Sequence, residues 1–410
     1  MTQGILRIAT AGSVDNGKST LIGRLLYDSK SIFEDQLSAV ERTSVQKGKT
    51  DLDLSLFTDG LREEVELGIT IDVAYRYFST PNRKFIIADT PGHAEFTRNM
   101  ITGASTTDAV IILIDVTLGI TEQTKRHSFI AGLLQLSHVI VCVNKMDLKD
   151  WNQAEFDAVV REYQSLSERF QLKNVAFVPI SALKGDNVVD DSKNMDWYNG
   201  QSLMRILESI PQRISNGTEA LRCLIQCELG KHEELNYYGI KLLSGELSVD
   251  TPLMVFPSNS AIQLAELMDG YAPTKSLNGC VTAKLATAND SLKRGDILAT
   301  KENQPTIERT FLAMICWLSV APFDVANSLV LQHVSGDYSV QISEIEFVVD
   351  MHTMEQLHGQ SELTTNEIAR VKLSLNRPMP FDAYAQHKEM GSFILIDEVT
   401  NATVAAGMIQ

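Results

Sequence analysis

The chain has 410 residues, of which 44% are hydrophobic and 21% are charged, so it can build two or three folded domains. Its formal net charge of −16 disfavours non-specific binding to nucleic acids and to anionic membranes. The five scattered cysteines are typical of a reducing compartment, and no apolar run is long enough to span a bilayer. The first residues lack the pattern of a signal peptide, so we expect a cytoplasmic protein.

Apolar runs alternate with amphipathic segments in the first half of the chain. We predict strands at 5–11, 73–78, 84–89, 109–115, 139–145 and 175–180, and helices at 18–26, 125–136, 155–170 and 202–210. Short β-branched runs separated by helices are typical of a mostly parallel sheet with helices on both faces. The sequence therefore predicts an α/β domain over residues 1–213.

The pattern changes after residue 217. Short strand-like runs follow one another, separated by Gly, Pro, Asn and Asp, and the helical periodicity ends. This pattern predicts two all-β barrel domains, one over residues 214–303 and one over residues 304–410.

Residues 12–19 read GSVDNGKS and fit the phosphate-loop pattern G-x-x-x-x-G-K-[ST] between a predicted strand and a predicted helix. Glycines leave room for a polyphosphate, and the start of the helix adds partial positive charge. We expect Lys18 to reach the terminal phosphates and the Ser19 hydroxyl to bind Mg²⁺. The predicted loop comprises Gly12, Ser13, Val14, Asp15, Asn16, Gly17, Lys18, Ser19 and Thr20.

A second motif, DTPGH at 89–93, follows the predicted strand at 84–89. Asp89 is expected to hold Mg²⁺ through water, Gly92 to offer its N–H to the γ-phosphate, and His93 to orient the attacking water. In the motif GITID at 68–72, Thr70 is expected to complete the Mg²⁺ shell. The polar segment 28–66 is then expected to act as a nucleotide-dependent switch.

Two further motifs follow predicted strands and suit a guanine base. The Asp147 carboxylate in NKMD can accept hydrogen bonds from guanine N1–H and the 2-amino group, which adenine cannot supply, and sites of this kind discriminate by roughly 10⁴-fold. The Lys145 stem can lie along the base, and the backbone of the SAL segment can meet the guanine oxygen. The predicted base site comprises Asn144, Lys145, Asp147, Ser181, Ala182 and Leu183.

The motifs occur in one order, and each lies at a strand end. In a parallel sheet these ends meet at one edge, where α/β proteins bind ligands. The sequence therefore predicts a GTP-binding domain with a Mg²⁺-dependent hydrolysis cycle. Lys18, Thr70 and His93 are its predicted catalytic residues, and Ser19, Thr70 and Asp89 are its predicted metal ligands.

The set GSVDNGKST, GITID, DTPGH, NKMD and SAL resembles the translation-factor class of GTPases, in which two β-barrels follow the GTP-binding domain. Longer stretches, such as KFIIADTPGHAEFTRNMITGAS, VPISALKGDNVV and GSFILIDEVTNATVAAGMI, resemble the GTPase (large) subunits of heterodimeric bacterial sulfate adenylyltransferases. This second resemblance is dense over 5–210 and 364–409 and thin between about 218 and 306.

The resemblance implies a task and a partner. A separate small subunit of the PP-loop class makes adenosine 5′-phosphosulfate and pyrophosphate from ATP and sulfate, and GTP hydrolysis on the large subunit drives that uphill reaction. It implies GTP and Mg²⁺ as ligands, and no membrane or nucleic-acid partner is expected. Some members carry a fused adenylylsulfate kinase after the second barrel, which is not expected here because the sequence stops at residue 410.

The sequence departs from this family at some positions. Asn16 stands where the family usually has an acidic residue, Val65 stands where it usually has arginine, and the stretch 235–251 lacks the usual arginine and most of the usual glycines. Because backbone N–H groups bind the phosphates, we expect Asn16 to be tolerated.

Two alternatives stay open. A translation factor that delivers aminoacyl-tRNA would share the motifs, but DVAYRYFST and the long segment 28–66 resemble the sulfate family more closely. A regulatory GTP-binding protein without hydrolysis is disfavoured by the intact predicted catalytic and metal-binding residues. His127, on a predicted helix, is expected to be structural rather than a ligand.

Overall fold

The computed structural model describes residues 3–31, 38, 40, 42, 54–57, 73–90, 97–211, 219–270, 272–278, 281–288, 292–323 and 328–410. The chain divides into two compact units, Met1–Arg213 and Ile214–Gln410. Within the described ranges, no helix combines the length and the apolar character that crossing a lipid bilayer requires.

The first unit contains a six-stranded sheet with the strand order β2-β3-β1-β4-β5-β6. β2 and β3 are antiparallel and the other neighbours are parallel, which confirms the mostly parallel sheet. The strands begin and end within two residues of the predicted limits. They are β1 (Gln3–Ala11), β2 (Ala74–Ser79), β3 (Arg83–Asp89), β4 (Ala109–Asp115), β5 (His138–Asn144) and β6 (Val175–Pro179).

Five helices of this unit lie in the described ranges. They are α1 (Lys18–Asp28), α2 (Thr97–Ser105), α3 (Glu122–Leu133), α4 (Gln153–Arg169) and α5 (Leu203–Ser209). The sequence analysis did not predict α2. It placed the start of α3 three residues too late, because Thr121 and Thr124 form a capping box that hydrophobic periodicity does not reveal.

Both faces of the sheet are buried. Ile8, Ile111 and Cys142 share one core cluster with apolar residues of α1 and α5. Val110 and Ile112 point to the opposite face of β4 and are also fully buried, so helices cover that face as well. This packing holds β1, β4 and β5 rigidly, and the loops that follow them form the candidate site.

The second unit is all-β. Its first part is an eight-stranded antiparallel sheet with the order β11-β10-β16-β7-β8-β15-β12-β13, accompanied by the pair β9 and β14. A single core cluster that includes Ile225, Ile240 and Leu285 lies inside it. The strands are β7 (Arg222–His232), β8 (Leu235–Ser244), β9 (Glu246–Ser248), β10 (Leu253–Phe256), β11 (Ser260–Ile262), β12 (Glu266–Asp269), β13 (Ala272–Pro273), β14 (Ser276–Asn278), β15 (Val281–Thr287) and β16 (Ile297–Ala299).

The second part of this unit is a closed antiparallel barrel. Pairing of β18 with both β22 and β19 closes six strands around a core that includes Trp317, Leu331 and Leu373. The strands are β17 (Thr306–Trp317), β18 (Leu329–His333), β19 (Gly336–Val349), β20 (Gln356–Leu357), β21 (Ile368–Phe381), β22 (Ser392–Asp397) and β23 (Thr403–Ile409), and the short helix α6 (Lys388–Gly391) precedes β22. The predicted all-β character is confirmed, and the domain limits near 213 and 303 stay predictions.

A buried ion pair joins the two parts of the second unit. Arg222, at the start of β7, donates from Nε and Nη2 to the two carboxylate oxygens of Asp382, each over 2.7 Å. Both side chains are less than 9% exposed. The Arg222 guanidinium also donates to the Asn303 carbonyl oxygen, so it holds the segment before β17 as well.

Candidate nucleotide-binding site

The predicted phosphate loop connects β1 to α1 and packs tightly against the sheet. Gly12 has a φ of +149°, and a Cβ there would lie 2.7 Å from the carbonyl oxygen of Leu113 on β4. Gly17 has a φ of +92°, and its Cβ would lie 2.5 Å from Asn144 Nδ2. Glycine is required at both positions, because a side chain would clash and because the backbone is left-handed there.

Lys18 is a buried cation at the first position of α1, with 7% of its surface exposed. Its Nζ donates to the carbonyl oxygens of Gly12 over 2.9 Å and of Ser13 over 3.0 Å. Burial lowers the pKa of Lys18 to about 8, and the carboxylates of Asp89 and Asp15 offset part of that effect. A polyphosphate at the start of α1 would supply the anionic partner that these neutral carbonyls do not, so the loop fits such a ligand.

Two of the predicted Mg²⁺ ligands, Ser19 and Asp89, lie in the described residues. Ser19 is half-buried in the first turn of α1, and Asp89 ends β3 with 2% of its surface exposed. Thr10 pairs with Asp89 across the sheet, and its Oγ1 donates to Asp89 Oδ1 over 3.3 Å. Hydroxyl and carboxylate oxygens are the ligands that Mg²⁺ prefers, so this donor set fits the ion.

Other residues of the predicted phosphate site have simpler positions. Val14 and Thr20 are half-buried, and Asp15 is exposed with a left-handed φ of +62°. Thr70, Gly92 and His93 lie outside the described residues, and the roles predicted for them stay predictions.

Asn144 connects three segments of the site. Its Nδ2 donates to the Asn16 carbonyl oxygen over 2.8 Å, and its Oδ1 accepts a hydrogen bond from the Ala182 N–H over 2.9 Å. The side chain is buried, with the residue 2% exposed. The phosphate loop, the end of β5 and the segment after β6 are therefore bonded to one another, although the sequence analysis treated them as separate contacts to the nucleotide.

Asn16 itself is 1% exposed, and its Nδ2 donates to the Leu113 carbonyl oxygen over 2.9 Å. An ionised carboxylate at this position could not donate that bond. The Nδ2 donor thus ties the phosphate loop to β4, whereas Oδ1 of the same amide is buried without a hydrogen-bond partner among the described residues.

Lys145 and Asp147 follow Asn144 and turn towards solvent. Lys145 adopts a left-handed φ of +62°, and its Nζ lies 2.7 Å from Asp115 Oδ2. Burial alone would raise the pKa of Asp115, but hydrogen bonds from Lys145 and Thr117 outweigh it and hold that pKa below its usual value. Asp147 is half-exposed in the 3-10 turn Met146–Lys149, and no group in the described part of the chain donates a hydrogen bond to its carboxylate. This carboxylate is available to a base.

Arg24 positions the SAL segment, and the sequence analysis missed it. From α1, its Nε donates to the Ala182 carbonyl oxygen over 3.1 Å, and its Nη2 donates to the Leu183 carbonyl oxygen. Ser181 is fully buried, whereas Leu183 is 44% exposed. The signal in the sequence is a single cation inside the apolar helical run LIGRLL.

A second missed contact joins the phosphate loop to α3. The Ser13 and Thr121 hydroxyl oxygens lie 2.7 Å apart, and Thr121 caps α3. On the same helix His127 is 2% exposed, and burial, together with the charges of Lys18 and Arg126, lowers its pKa to about 3. His127 is therefore neutral beside Lys18, which suits the structural role expected for it.

Comparisons with known proteins agree with this geometry. The family described as elongation factor Tu GTP binding domain matches residues 3–273, and the family described as GTP-eEF1A C-terminal domain-like matches residues 310–410. The crystal structure of the Saccharomyces cerevisiae Ski7 GTPase-like domain, bound to GDP and inorganic phosphate, is similar in fold. It is 17% identical with a TM-score of 0.51, and the similarity covers 100% of this chain and 98% of that one.

Closer relatives share more of the sequence. Sulfate adenylyltransferase subunit 1 of Bacteroides fragilis is 43% identical over 99% of this chain and 86% of its own length. The protein of the same name from Colwellia psychrerythraea is 43% identical over 99% of this chain and 88% of its own length. The bifunctional enzyme CysN/CysC of Mycobacterium tuberculosis is 42% identical over 99% of this chain and 67% of its own length. The chain therefore belongs to the sulfate adenylyltransferase subunit 1 family, within the GTP-binding proteins of the elongation factor Tu type.

Proposed function

We propose that this chain is the GTP-hydrolysing subunit of a sulfate adenylyltransferase. In this proposal, GTP hydrolysis on the chain is coupled to the formation of adenosine 5′-phosphosulfate and pyrophosphate from ATP and sulfate by a separate small subunit. The observation that carries the proposal is the hydrogen-bonded connection from Asn16 through Asn144 to Ala182. These bonds join the phosphate loop and the base motifs into a single site. The family membership gives that site its reaction.

GTP would bind along this connection. Backbone N–H groups of 12–17 and the Lys18 ammonium would hold the phosphates, because they place positive charge at the start of α1, where the phosphates would lie. The Asp147 carboxylate would accept the guanine N1–H and 2-amino donors, which makes the site selective against adenine. Lys145, fixed by Asp115 over 2.7 Å, would lie along the base.

Mg²⁺ would be held by Ser19 and Asp89, with Thr70 as the further ligand predicted from the sequence. When bound, Mg²⁺ would neutralise charge on the phosphates of the nucleotide. Asp89 is held for this task by Thr10 and is buried beside Lys18. Gly92 would donate its N–H to the γ-phosphate, and His93 would orient the attacking water.

The partner in this proposal is a small subunit of the PP-loop class that carries out the adenylyl transfer. Coupling requires that the GTP and GDP forms of this chain bind that subunit with different free energies, because otherwise hydrolysis could not drive its reaction. The segment 28–66 is the predicted switch that would change with the nucleotide. The net charge of −16 suits a protein partner better than a nucleic acid, and we place the complex in the cytoplasm.

The test is to mix the chain with the small subunit, ATP and sulfate, and to follow phosphate release from GTP and adenylylsulfate formation together. We expect GTP hydrolysis and adenylylsulfate formation to accelerate each other. With GTP present, adenylylsulfate should accumulate above the equilibrium level that it reaches when GTP is left out. The same level of adenylylsulfate with and without GTP would refute the proposal. The relatives named sulfate adenylyltransferase subunit 1 reduce the translation-factor alternative to a shared fold family.

A further inference from the structure

The strand β2 is an open edge of the sheet in the first unit. It pairs with β3 alone among the described strands, in continuous register from Ala74 opposite Asp89 to Ser79 opposite Lys84. Its six residues contain no proline and no bulge. Natural edge strands are usually protected by such features, so this edge is unusually ready to accept another strand.

The hydrogen-bond alternation shows which backbone groups face outward. The Thr80 N–H donates to the Arg83 carbonyl oxygen, which makes this the hydrogen-bonded pair next to the turn. Pairs then alternate along an antiparallel ladder, so Phe78, Arg76 and Ala74 bond to β3. The N–H and C=O groups of Tyr75, Tyr77 and Ser79 consequently point away from β3, towards the open edge.

The same residues carry exposed side chains. Tyr75 is 44% exposed and Tyr77 is 68% exposed, which is unusual for two tyrosines on one short strand. Residues in register share a face, so Tyr77 lies beside Ile86 and Arg7, and Ser79 lies beside Lys84. Both aromatic rings therefore stand on one face of the sheet, next to the free edge.

This face is basic on an acidic protein. The nine residues in register are Tyr75, Tyr77, Ser79, Lys84, Ile86, Ala88, Ile5, Arg7 and Ala9, and none of them is acidic. Arg7 and Lys84 are exposed, and neither side chain has an ion-pair partner in the described part of the chain. The neighbouring carboxylate of Asp108 accepts the Arg7 backbone N–H. Arg7 and Lys84 thus give this face a local positive charge on a chain whose net charge is −16, and they would be the partners of carboxylates on a docked segment.

Another open edge in the described part of the chain, the outer part of β7, contrasts with this one. The outer part of β7 is interrupted by register shifts near Cys227 and Gly230, and it carries the exposed charges of Glu228 and Lys231. Bulges and charges of this kind prevent strand addition. The difference between the two edges points to β2 as a surface for docking.

We propose that β2 docks an extended segment of the catalytic small subunit by strand addition, and this proposal rests on the proposed function. The segment would pair with the outward N–H and C=O groups of Tyr75, Tyr77 and Ser79. It would place apolar side chains against the two tyrosines and carboxylates near Lys84 and Arg7. Main-chain bonds give such contacts affinity, and the side-chain pattern gives them specificity.

Amide hydrogen exchange of the full chain, with and without the small subunit, tests the pairing directly. In the free chain the amides of Tyr75, Tyr77 and Ser79 should exchange quickly, while those of Arg76 and Phe78 are protected by β3. In the complex the three outward amides should slow by at least ~10-fold. Outward amides that stay unprotected in a saturated complex would overturn the proposal.

Variants provide an independent readout. Tyr77→Pro removes an outward donor but no bond to β3, and Lys84→Glu reverses the charge of the face, so each should weaken binding of the small subunit by about 10-fold or more. Lys173→Glu, at an exposed lysine before the opposite edge strand, is the matched control and should bind normally. GTP affinity of every variant should stay at the wild-type value, which shows that the first unit is folded.

The outcomes separate this proposal from the proposed function. If wild-type chain and small subunit form a complex and couple their reactions, but Tyr77→Pro and Lys84→Glu bind as well as wild type, the docking proposal is wrong and the function stands. If the wild-type proteins neither bind nor couple, the function itself fails. Self-association of the chain through β2, detected by sedimentation and abolished by Tyr77→Pro, would also overturn the proposal.

Discussion

The Asn144 side chain donates to the Asn16 carbonyl oxygen over 2.8 Å, so the base motif holds the phosphate loop in place. Its other end accepts the Ala182 N–H over 2.9 Å. Because Asn144 is buried, these bonds are shielded from water and all three segments move together. Guanine and phosphate recognition should therefore depend on each other.

Asn144→Ala should weaken binding of GDP and of pyrophosphate together, each by about 10- to 100-fold, because the lost bonds are worth roughly 1–3 kcal/mol. If Asn144 only contacted the base, pyrophosphate affinity would not change. Isothermal titration of both ligands measures the two effects. Asn152→Ala, which removes the cap of α4, is the control and should leave both affinities unaltered.

Lys18→Ala should reduce GTP affinity by at least ~100-fold, because it removes the buried cation at the start of α1. Equilibrium binding of a fluorescent GTP analogue measures the loss. Lys173→Ala, at an exposed lysine of the same unit, should bind like wild type. Equal affinity of the Lys18→Ala variant and wild type would refute the phosphate-loop assignment.

GTP affinity should also fall with rising pH. Burial lowers the pKa of Lys18 to about 8 in the free protein, and a bound phosphate would raise it again. Below pH 8 the lysine is already charged and affinity is constant. Above pH 8 binding must take up a proton, so affinity should decline towards a limit of about tenfold per pH unit.

Titrations between about pH 7 and pH 9 in two buffers of different ionisation enthalpy measure this proton uptake. An affinity for GTP that is constant over this range, without proton uptake, would contradict the assignment of a low pKa to Lys18.

The buried pair of Arg222 and Asp382 predicts a specific pattern of stability. Arg222→Met leaves a buried carboxylate without its cation and should lower the free energy of unfolding of the second unit by about 3–5 kcal/mol. The double variant Arg222→Met/Asp382→Leu should recover most of that loss, because no charge stays buried. Urea denaturation followed by circular dichroism measures both.

Arg205→Met is the control for this experiment. Arg205 pairs with Asp191 over 2.8 Å, but both side chains are more than half exposed. Loss of this pair should therefore change the free energy of unfolding by no more than the experimental error. If the single and the double variants at 222 and 382 were equally destabilised, the ion pair would not be the cause.

Much of the fold could be predicted from the sequence because periodicity and motif order report directly on burial. The strand at Ala109–Asp115 was predicted to the residue, since its apolar run is buried on both faces and lies between polar ends. The start of α3 was missed, because a capping box of two threonines carries no hydrophobic signal. The capping pattern S/T-x-x-E/Q would not have found it either, as Thr124 takes the place of the acid.

The roles of the candidate site residues stay predictions from motifs, and the bonds between these residues were not predicted. Motif spacing places Asn16, Asn144 and Ala182 at one edge of the sheet, and it does not reveal that they bond to one another. Arg24 and Thr121 belong to no motif, and their contacts with Leu183 and Ser13 span more than a hundred residues of sequence. Such contacts depend on the packing of the whole unit, which local patterns do not encode.

The Asp147→Asn variant should change its base preference from guanine to xanthine, because xanthine has a carbonyl oxygen where guanine has its 2-amino group. The amide can donate to that oxygen, whereas the carboxylate cannot. The variant should lose GTP affinity and gain XTP affinity, each by about two orders of magnitude or more. Competition of GTP and XTP for the variant measures the exchange.

This exchange allows the central claim to be tested in the assembled enzyme. The Asp147→Asn variant is mixed with the small subunit, ATP and sulfate, and adenylylsulfate is measured with either GTP or XTP as the second nucleotide. The account predicts that XTP, and not GTP, drives adenylylsulfate formation by the variant, while wild type shows the reverse. Two results would contradict the account. In one, GTP and XTP stimulate the variant equally; in the other, the variant binds XTP but neither nucleotide stimulates adenylylsulfate formation.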